Sequence, residues 1–160
     1  MRDIKIISGG QTGVDRGALD AALAKGVPCG GWCPEGRRAE DGEIPARYPV
    51  TVLPGAGYRE RTRQNVLDSD ATVIIYFVEI EPRSGTELTV NECIEASRPH
   101  VLIDGTAVSV EKAAREIYVF CRVNAVHRLN VAGPRGTDAP HVREYAQAVI
   151  EAFLGLLSAR

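Results

Sequence analysis

Apolar positions along the chain switch repeatedly between a strand-like run and a helical spacing. Ile4 to Ile7 is a short β-branched run that stops at Ser8-Gly9-Gly10, and Val14, Ala18, Ala21 and Ala22 then recur on one helical face. Gly26-Val27-Pro28 closes that helix, because glycine suits the position past a C-terminus and proline cannot continue the turn. Cys29 to Trp32 reads as a weak second strand. Residues 33–49, rich in Gly, Pro and charge and without periodicity, read as a functional loop that covers something. Thr51 to Leu53 adds a short strand, and Tyr58 to Asp68 a polar helix whose apolar content is little more than Val66 and Leu67. Ala71 to Val78 is continuous β-branched and aromatic sequence, as expected of a strand buried on both faces at the sheet centre. A loop from Glu79 to Ser84 follows, then a helix opening at Gly85-Thr86 and running to about Ser97, and a strand from His100 to Ile103. Val110, Ala113, Ala114, Ile117 and Cys121 mark the next helix, and Arg128 to Ala132 the last strand. Val142, Tyr145, Ala146, Val149, Ile150, Phe153 and Leu157 form the stripe of a long final helix.

About five alternations of strand and helix predict an α/β, Rossmann-like, three-layer α/β/α fold with a mainly parallel sheet of five to six strands. At 160 residues the chain suits one domain, 1–160, around one core. In such a sheet ligands sit beyond the carboxyl ends of the strands, at the topological switch point. That rule sorts the loops able to reach a ligand from those on the far side.

Composition removes several functions. With 44% apolar and 25% charged residues and a net charge of -2, the chain has no basic footprint for duplex nucleic acid. Its apolar runs are strand-sized, well short of the roughly 20 residues needed to cross a bilayer, and its N-terminus carries no apolar leader. The expectation is a soluble, cytoplasmic protein with neither nucleic acid nor membrane as partner. Cys29, Cys33, Cys93 and Cys121 lack metal-pair spacing and read as reduced thiols, with no metal site. Of the 19 basic residues 16 are Arg, whose planar forks suit phosphate and carboxylate groups.

Four loops pass the placement rule. Gly9, Gly10, Gln11, Thr12 and Gly13 follow the first strand and enter a helix, where closely spaced glycines bring main-chain N–H groups and the helix N-terminus to an anion. Asp15 and Arg16 in the first turn are within reach of a ligand hydroxyl and phosphate. The loop is neither GxGxxG nor GxxxxGK[ST], which leaves the dinucleotide and P-loop readings without support. Ser84, Gly85 and Thr86 open another helix after the strongest strand, with Ser84 serving as N-cap, ligand contact or both. The segment Asn130 to Asp138, with Gly133, Pro134 and Arg135, follows the last strand and sets Arg135 for a bidentate phosphate contact. In the long loop, Arg37 and Arg38 stand beside glycines, as a solvated surface or as an anion contact. Arg63 and Asn65 are further candidates because their helix has too little apolar surface to be purely structural. Catalytic chemistry is harder to find: His100 and His127 precede strands and fall on the wrong edge, His141 alone falls on the right one, and no nucleophile, base and acid constellation stands out.

The stretches 8–20 (SGGQTGVDRGALD), 31–42 (GWCPEGRRAEDG) and 62–72 (TRQNVLDSDAT), continued by Gly85-Thr86 and by Asn130 to Arg135, resemble the molybdenum carrier proteins, a family of the Rossmann-like SLOG superfamily that also holds phosphoribohydrolases once labelled lysine decarboxylases. The resemblance spans nearly the whole chain. It implies a non-enzymatic carrier that holds molybdenum cofactor (molybdopterin) or a nucleotide-like phosphate ligand, with molybdoenzymes as partners and a homo-oligomeric assembly. The glycine loops would take the phosphate and polar side chains the pterin edge. The hydrolases carry a PGGxGTxxE motif whose Glu takes part in catalysis; here Thr89 stands at that position, with Glu87 and Glu92 as nearby carboxylates. Two alternatives therefore stand beside the carrier reading: a nucleotide N-glycosidic hydrolase and a nucleotide-sensing module.

Overall fold

The computed structural model describes residues 3–136 and 139–159. In chain order the elements are β1 (Lys5–Ile7), α1 (Val14–Ala24), β2 (Cys29–Gly30), β3 (Trp32–Cys33), a 3-10 turn (Glu35–Arg37), β4 (Arg38–Ala39), β5 (Gly42–Glu43), β6 (Thr51–Val52), α2 (Tyr58–Leu67), β7 (Ala71–Tyr76), α3 (Gly85–Glu95), β8 (His100–Asp104), α4 (Val110–Val123), β9 (Arg128–Ala132) and α5 (Pro140–Ser158). Five strands form one all-parallel sheet in the order β2-β1-β9-β7-β8, the α/β Rossmann-like arrangement that the alternation predicts.

Why these segments take these places follows from their side chains. Val73 and Ile75 of β7, with Ile6, Leu129 and Val131, face a core closed by the stripes of α1, α4 and α5. On the other face Ile74 meets Val66 of α2 and Cys93 of α3. Burying apolar surface at about 25 cal/mol per Å² makes such a two-faced strand the natural sheet centre. The long α5 carries most of one layer, with Val142, Ala146, Val149, Ile150 and Phe153 all buried.

Three local expectations are corrected. The segment Cys29 to Trp32 is two strands: β2 joins the central sheet, while β3 turns away after Gly31 and pairs with β6 in a separate two-stranded sheet. The loop expected at residues 33–49 does cover something, but as packed structure: residues 33–50 lie against Leu19 of α1. They hold the small hairpin β4/β5 and a second apolar cluster, in which Cys33, Ile44, Tyr48 and Val50 pack on Leu19 of α1. Four such residues dispersed among glycines, prolines and charges carry no period, so a periodic reading does not reveal the packing. The strongest strand ends at Tyr76, two residues early, and Val78 takes a φ of 72°. Among the described residues no helix is long and apolar enough to cross a membrane. Thr137 and Asp138, the end of the predicted last loop, lie outside the described residues.

Candidate functional site

The chain leaves β1 toward β2 on one side of the sheet and β7 toward β8 on the other, with β9 between β1 and β7. That reversal parts the loops beyond the strand ends and opens a cleft of ≈ 450 Å³. Its wall takes Gly9, Gln11 and Asp15 from the first loop and helix, Tyr58, Arg61, Thr62 and Asn65 from α2, and Ser84, Gly85, Thr86 and Thr89 from the start of α3. Asn130 and the segment Ala132 to Arg135 complete it, with Glu79, Glu81 and Arg83 at the rim.

Three loops predicted from sequence thus meet in one place, but the first two do different work. The first glycine loop is largely closed on itself. Asp15 Oδ2 accepts the Gln11 main-chain N–H at 3.2 Å, so a carboxylate of the protein already sits where the loop would receive an anion. The Val14 N–H donates to the Pro134 carbonyl at 3.2 Å, and the Gly136 N–H donates to Thr12 Oγ1 at 3.3 Å, which clasps the last loop over the N-terminus of α1. Gly13, at φ 85°, permits that clasp, because a Cβ there would overlap Pro134. Gly10, Thr12 and Gly13 therefore do not line the cleft. By contrast, α3 presents its first turn openly. Ser84 Oγ accepts the Glu87 N–H at 3.2 Å and donates to the Glu81 carbonyl at 2.6 Å, while a Cβ placed on Gly85 meets open space. Orphan amides and the helix dipole at that end suit an anionic group.

The opposite wall is a buried charge pair. Arg61 Nη1 lies 3.6 Å from Asp15 Oδ2, and both side chains are nearly inaccessible. Gly9 makes room for the guanidinium, since a Cβ on Gly9 would overlap it. Burial pushes the Asp15 carboxyl above its ordinary range, against the pull of Arg61 and the Gln11 amide. Burial likewise lowers Arg61, partly offset by Asp15. Two polar atoms here, Gln11 Oε1 and Arg61 Nε, are buried without a hydrogen-bond partner among the described residues. Such atoms cost about 1–3 kcal/mol each unless a guest satisfies them. The Tyr58 ring gathers three guanidinium groups at the mouth: Arg135 at 4.6 Å, Arg38 at 5.8 Å and Arg61 at 5.8 Å. A Gly9→Ala substitution is expected to push the tip of Arg61 off the first loop. The flexible end can move, so the melting temperature should shift by only a few degrees while affinity for an anionic guest falls; an unchanged affinity would disconnect Arg61 from binding.

The other expected contacts have structural partners. Arg16 Nη1 and Nη2 clamp both Asp41 carboxylate oxygens at 2.6 and 2.8 Å and Nε donates to the Gly10 carbonyl, which fastens the hairpin to α1; the Arg16 clamp holds the Asp41 carboxyl below its usual value. Arg37 donates to the carbonyls of Ile44, Pro45, Tyr48 and Val50. Arg38 donates to the Glu35 carbonyl, and Arg63 points out of the cleft toward Glu92 at 3.8 Å. Asn65 lines the cleft, yet its amide is engaged at both ends by the Trp32 main chain. Asn130 is steadied by Thr72, to whose hydroxyl it donates at 3.3 Å. Arg61 escaped the sequence reading although a signal existed: Tyr58, Arg61, Thr62 and Asn65 recur at helical spacing as one polar face of α2, and Arg63 lies off it.

Where the hydrolases carry Glu, Thr89 donates its hydroxyl to the Gly85 carbonyl at 2.9 Å. Glu87 accepts the Arg83 N–H and Glu92 faces Arg63; neither lines the cleft. His141 packs edge-on against Phe77, with ring centroids 5.6 Å apart. Among the described residues no cluster of three His, Cys, Asp or Glu side chains could hold a metal ion.

A parallel sheet with a polar cleft at its switch point, walled by a helix N-terminus and buried arginine, defines a Rossmann-like ligand-binding protein. Residues 6–154 match the model of the circularly permutated YpsA SLOG family. The structure also superposes, with a TM-score of 0.90 and 40% sequence identity over 96% of each chain, on a crystal structure described as "Putative molybdenum carrier protein" from Syntrophus aciditrophicus SB. No curated protein matches the chain. The chain belongs to the circularly permutated YpsA SLOG family.

Proposed function

We propose that this chain binds and carries a small phosphorylated heterocycle, molybdenum cofactor or a nucleotide-like relative of it, in the cleft between α2 and α3. The observation that carries the reading is the pairing of opposite walls: the open first turn of α3 at Gly85, and the buried Gln11 Oε1 and Arg61 Nε that lack partners. Main-chain amides of α3 would take the phosphate. Gln11 Oε1 accepts and the guanidinium donates, a complement to the mixed donor and acceptor edge of a pterin or purine. With Asp15 within reach, a ring that donates two N–H groups is favoured. When bound, the cofactor would bring its own molybdenum, and the role of the chain's residues is to hold the organic part and keep water from it. Carriage rather than hydrolysis fits Thr89, since a hydroxyl engaged by a carbonyl is no general acid or base. The same reading makes molybdoenzymes its recipients.

Native mass spectrometry with a molybdenum assay on freshly purified protein tests this directly. The expected result is a non-covalent adduct of pterin or nucleotide mass, lost in Gly85→Val, whose branched side chain projects into open cleft and leaves the fold intact. Wild-type and Gly85→Val protein with equal occupancy, or a released free base from a nucleotide panel, would overturn it.

A further inference from the structure

The two edges of the sheet are treated differently. At one, β2 is only two residues long and the chain turns away at once into β3. At the other, β8 offers five residues, His100–Asp104, with no proline, lysine or bulge within them. Native proteins blunt such edges or pair them. The Thr72 N–H donates to Pro99 and the Gly105 N–H to Tyr76, so the odd-numbered residues of β8 turn their main-chain groups to β7. His100 and Leu102 turn theirs outward, while the Asp104 carbonyl is held by the Ala107 and Val108 N–H groups at 3.1 and 3.0 Å, so the open edge is centred on Leu102. Their side chains share one face, because Leu102 is in register with Ile74, which packs under α3. On that face Leu102 remains 44% exposed, and Ile94 of α3 is 61% exposed.

We propose that β8 is the dimerisation edge, where a second copy of this chain adds antiparallel to β8 about a two-fold axis through Leu102 and makes one continuous ten-stranded sheet. Antiparallel strands exchange pairs of N–H···O bonds, and a two-fold interface must be complementary to itself. The segment meets that condition. Centred on Leu102, the pairing sets the two Leu102 side chains against each other and His100 opposite the Asp104 of the copy, twice. An imidazole N–H donor thus meets a carboxylate, where a shift of register by two residues would set Leu102 against a charged or polar group. Asp104 is already oriented by the Thr106 hydroxyl at 2.6 Å and the Val78 N–H at 3.1 Å. The apolar Leu102 centre with a polar pair on each flank has the layout of a specific interface.

The experiment is sedimentation velocity on the full chain at micromolar concentration, with Leu102→Lys beside wild type. A dimer is expected for wild type and a monomer for Leu102→Lys, with the melting curve of the variant reporting that the fold is kept. Oxidised Leu102→Cys should form a disulfide-linked dimer, since directly opposed Cα atoms about 5.5 Å apart fall within disulfide range. Val119→Cys, on the exposed face of α4 and 57% exposed, should not. A wild-type monomer, a dimer that survives Leu102→Lys, or cross-linking through Val119→Cys alone would overturn the proposal. Ligand retention plays no part in these outcomes, so they stand apart from the carrier reading.

Discussion

Replacing Arg61 by Ala is expected to lower stability by about 3 kcal/mol at pH 7, because it strands the Asp15 carboxylate in a buried site. The loss should shrink on acidification. Asp15 already titrates above its ordinary value in the fold, owing first to burial, and Arg61 is the largest influence holding it down. Without Arg61 the folded carboxyl holds its proton to still higher pH. Since the folded state then binds more protons than the unfolded chain, stability falls as pH rises from about 3.8 through the raised folded value and is level beyond it. Urea denaturation of wild type, Arg61→Ala and Arg61→Ala/Asp15→Asn at pH 4 and pH 7 reads this out. The double variant should regain most of the loss at pH 7, and a deficit equal at both pH values would deny the coupling.

The second large effect belongs to Arg37. Its guanidinium holds four carbonyls at 2.9 to 3.2 Å, between residues 44 and 50, and thereby closes the long loop into a ring over Leu19. Charged hydrogen bonds contribute roughly 1.5–3 kcal/mol each and are not additive, so Arg37→Ala should cost about 3 kcal/mol in all. For a chain of this size that is a fall in melting temperature on the order of 10 °C. Arg37→Lys should recover only part, as a compact ammonium cannot span the same carbonyls. Arg38→Ala, one residue on, should change stability by less than about 1 kcal/mol. Equal melting temperatures for the Arg37 and Arg38 variants would contradict the ring.

These arginines show where reading by pattern succeeds and where it stops. The β-branched run at Ala71–Tyr76 and the stripes of α4 and α5 announced their burial through period alone, and from their alternation came the layers and the end of the sheet at which loops gather. Ser84 could be placed as an N-cap because a cap is a local event. For Arg16, Arg37 and Arg38 sequence leaves anion contact and other roles open, because an arginine beside glycines has the same appearance whether its partner is a guest, water or the chain's own oxygen. The choice between Asp41, four carbonyls and a phosphate is made by folding of residues 33–50, which no period describes. Arg61 was the reverse case. Its helix has few apolar residues, so attention to apolar stripes passed over a polar stripe at the same spacing.

The place of β9 carries a consequence for how the molecule forms. Strands β1 and β7 never touch each other; each pairs with β9, which is the last strand made. Until synthesis has passed residue 132, β1 and β7 lack the strand that lies between them and only side-chain links such as Trp32–Asn65 and Asp15–Arg61 are available to align their borders. The proposed cleft is therefore completed late in the chain, since Asn130 and Gly133 supply its floor between walls drawn from residues 9 to 89.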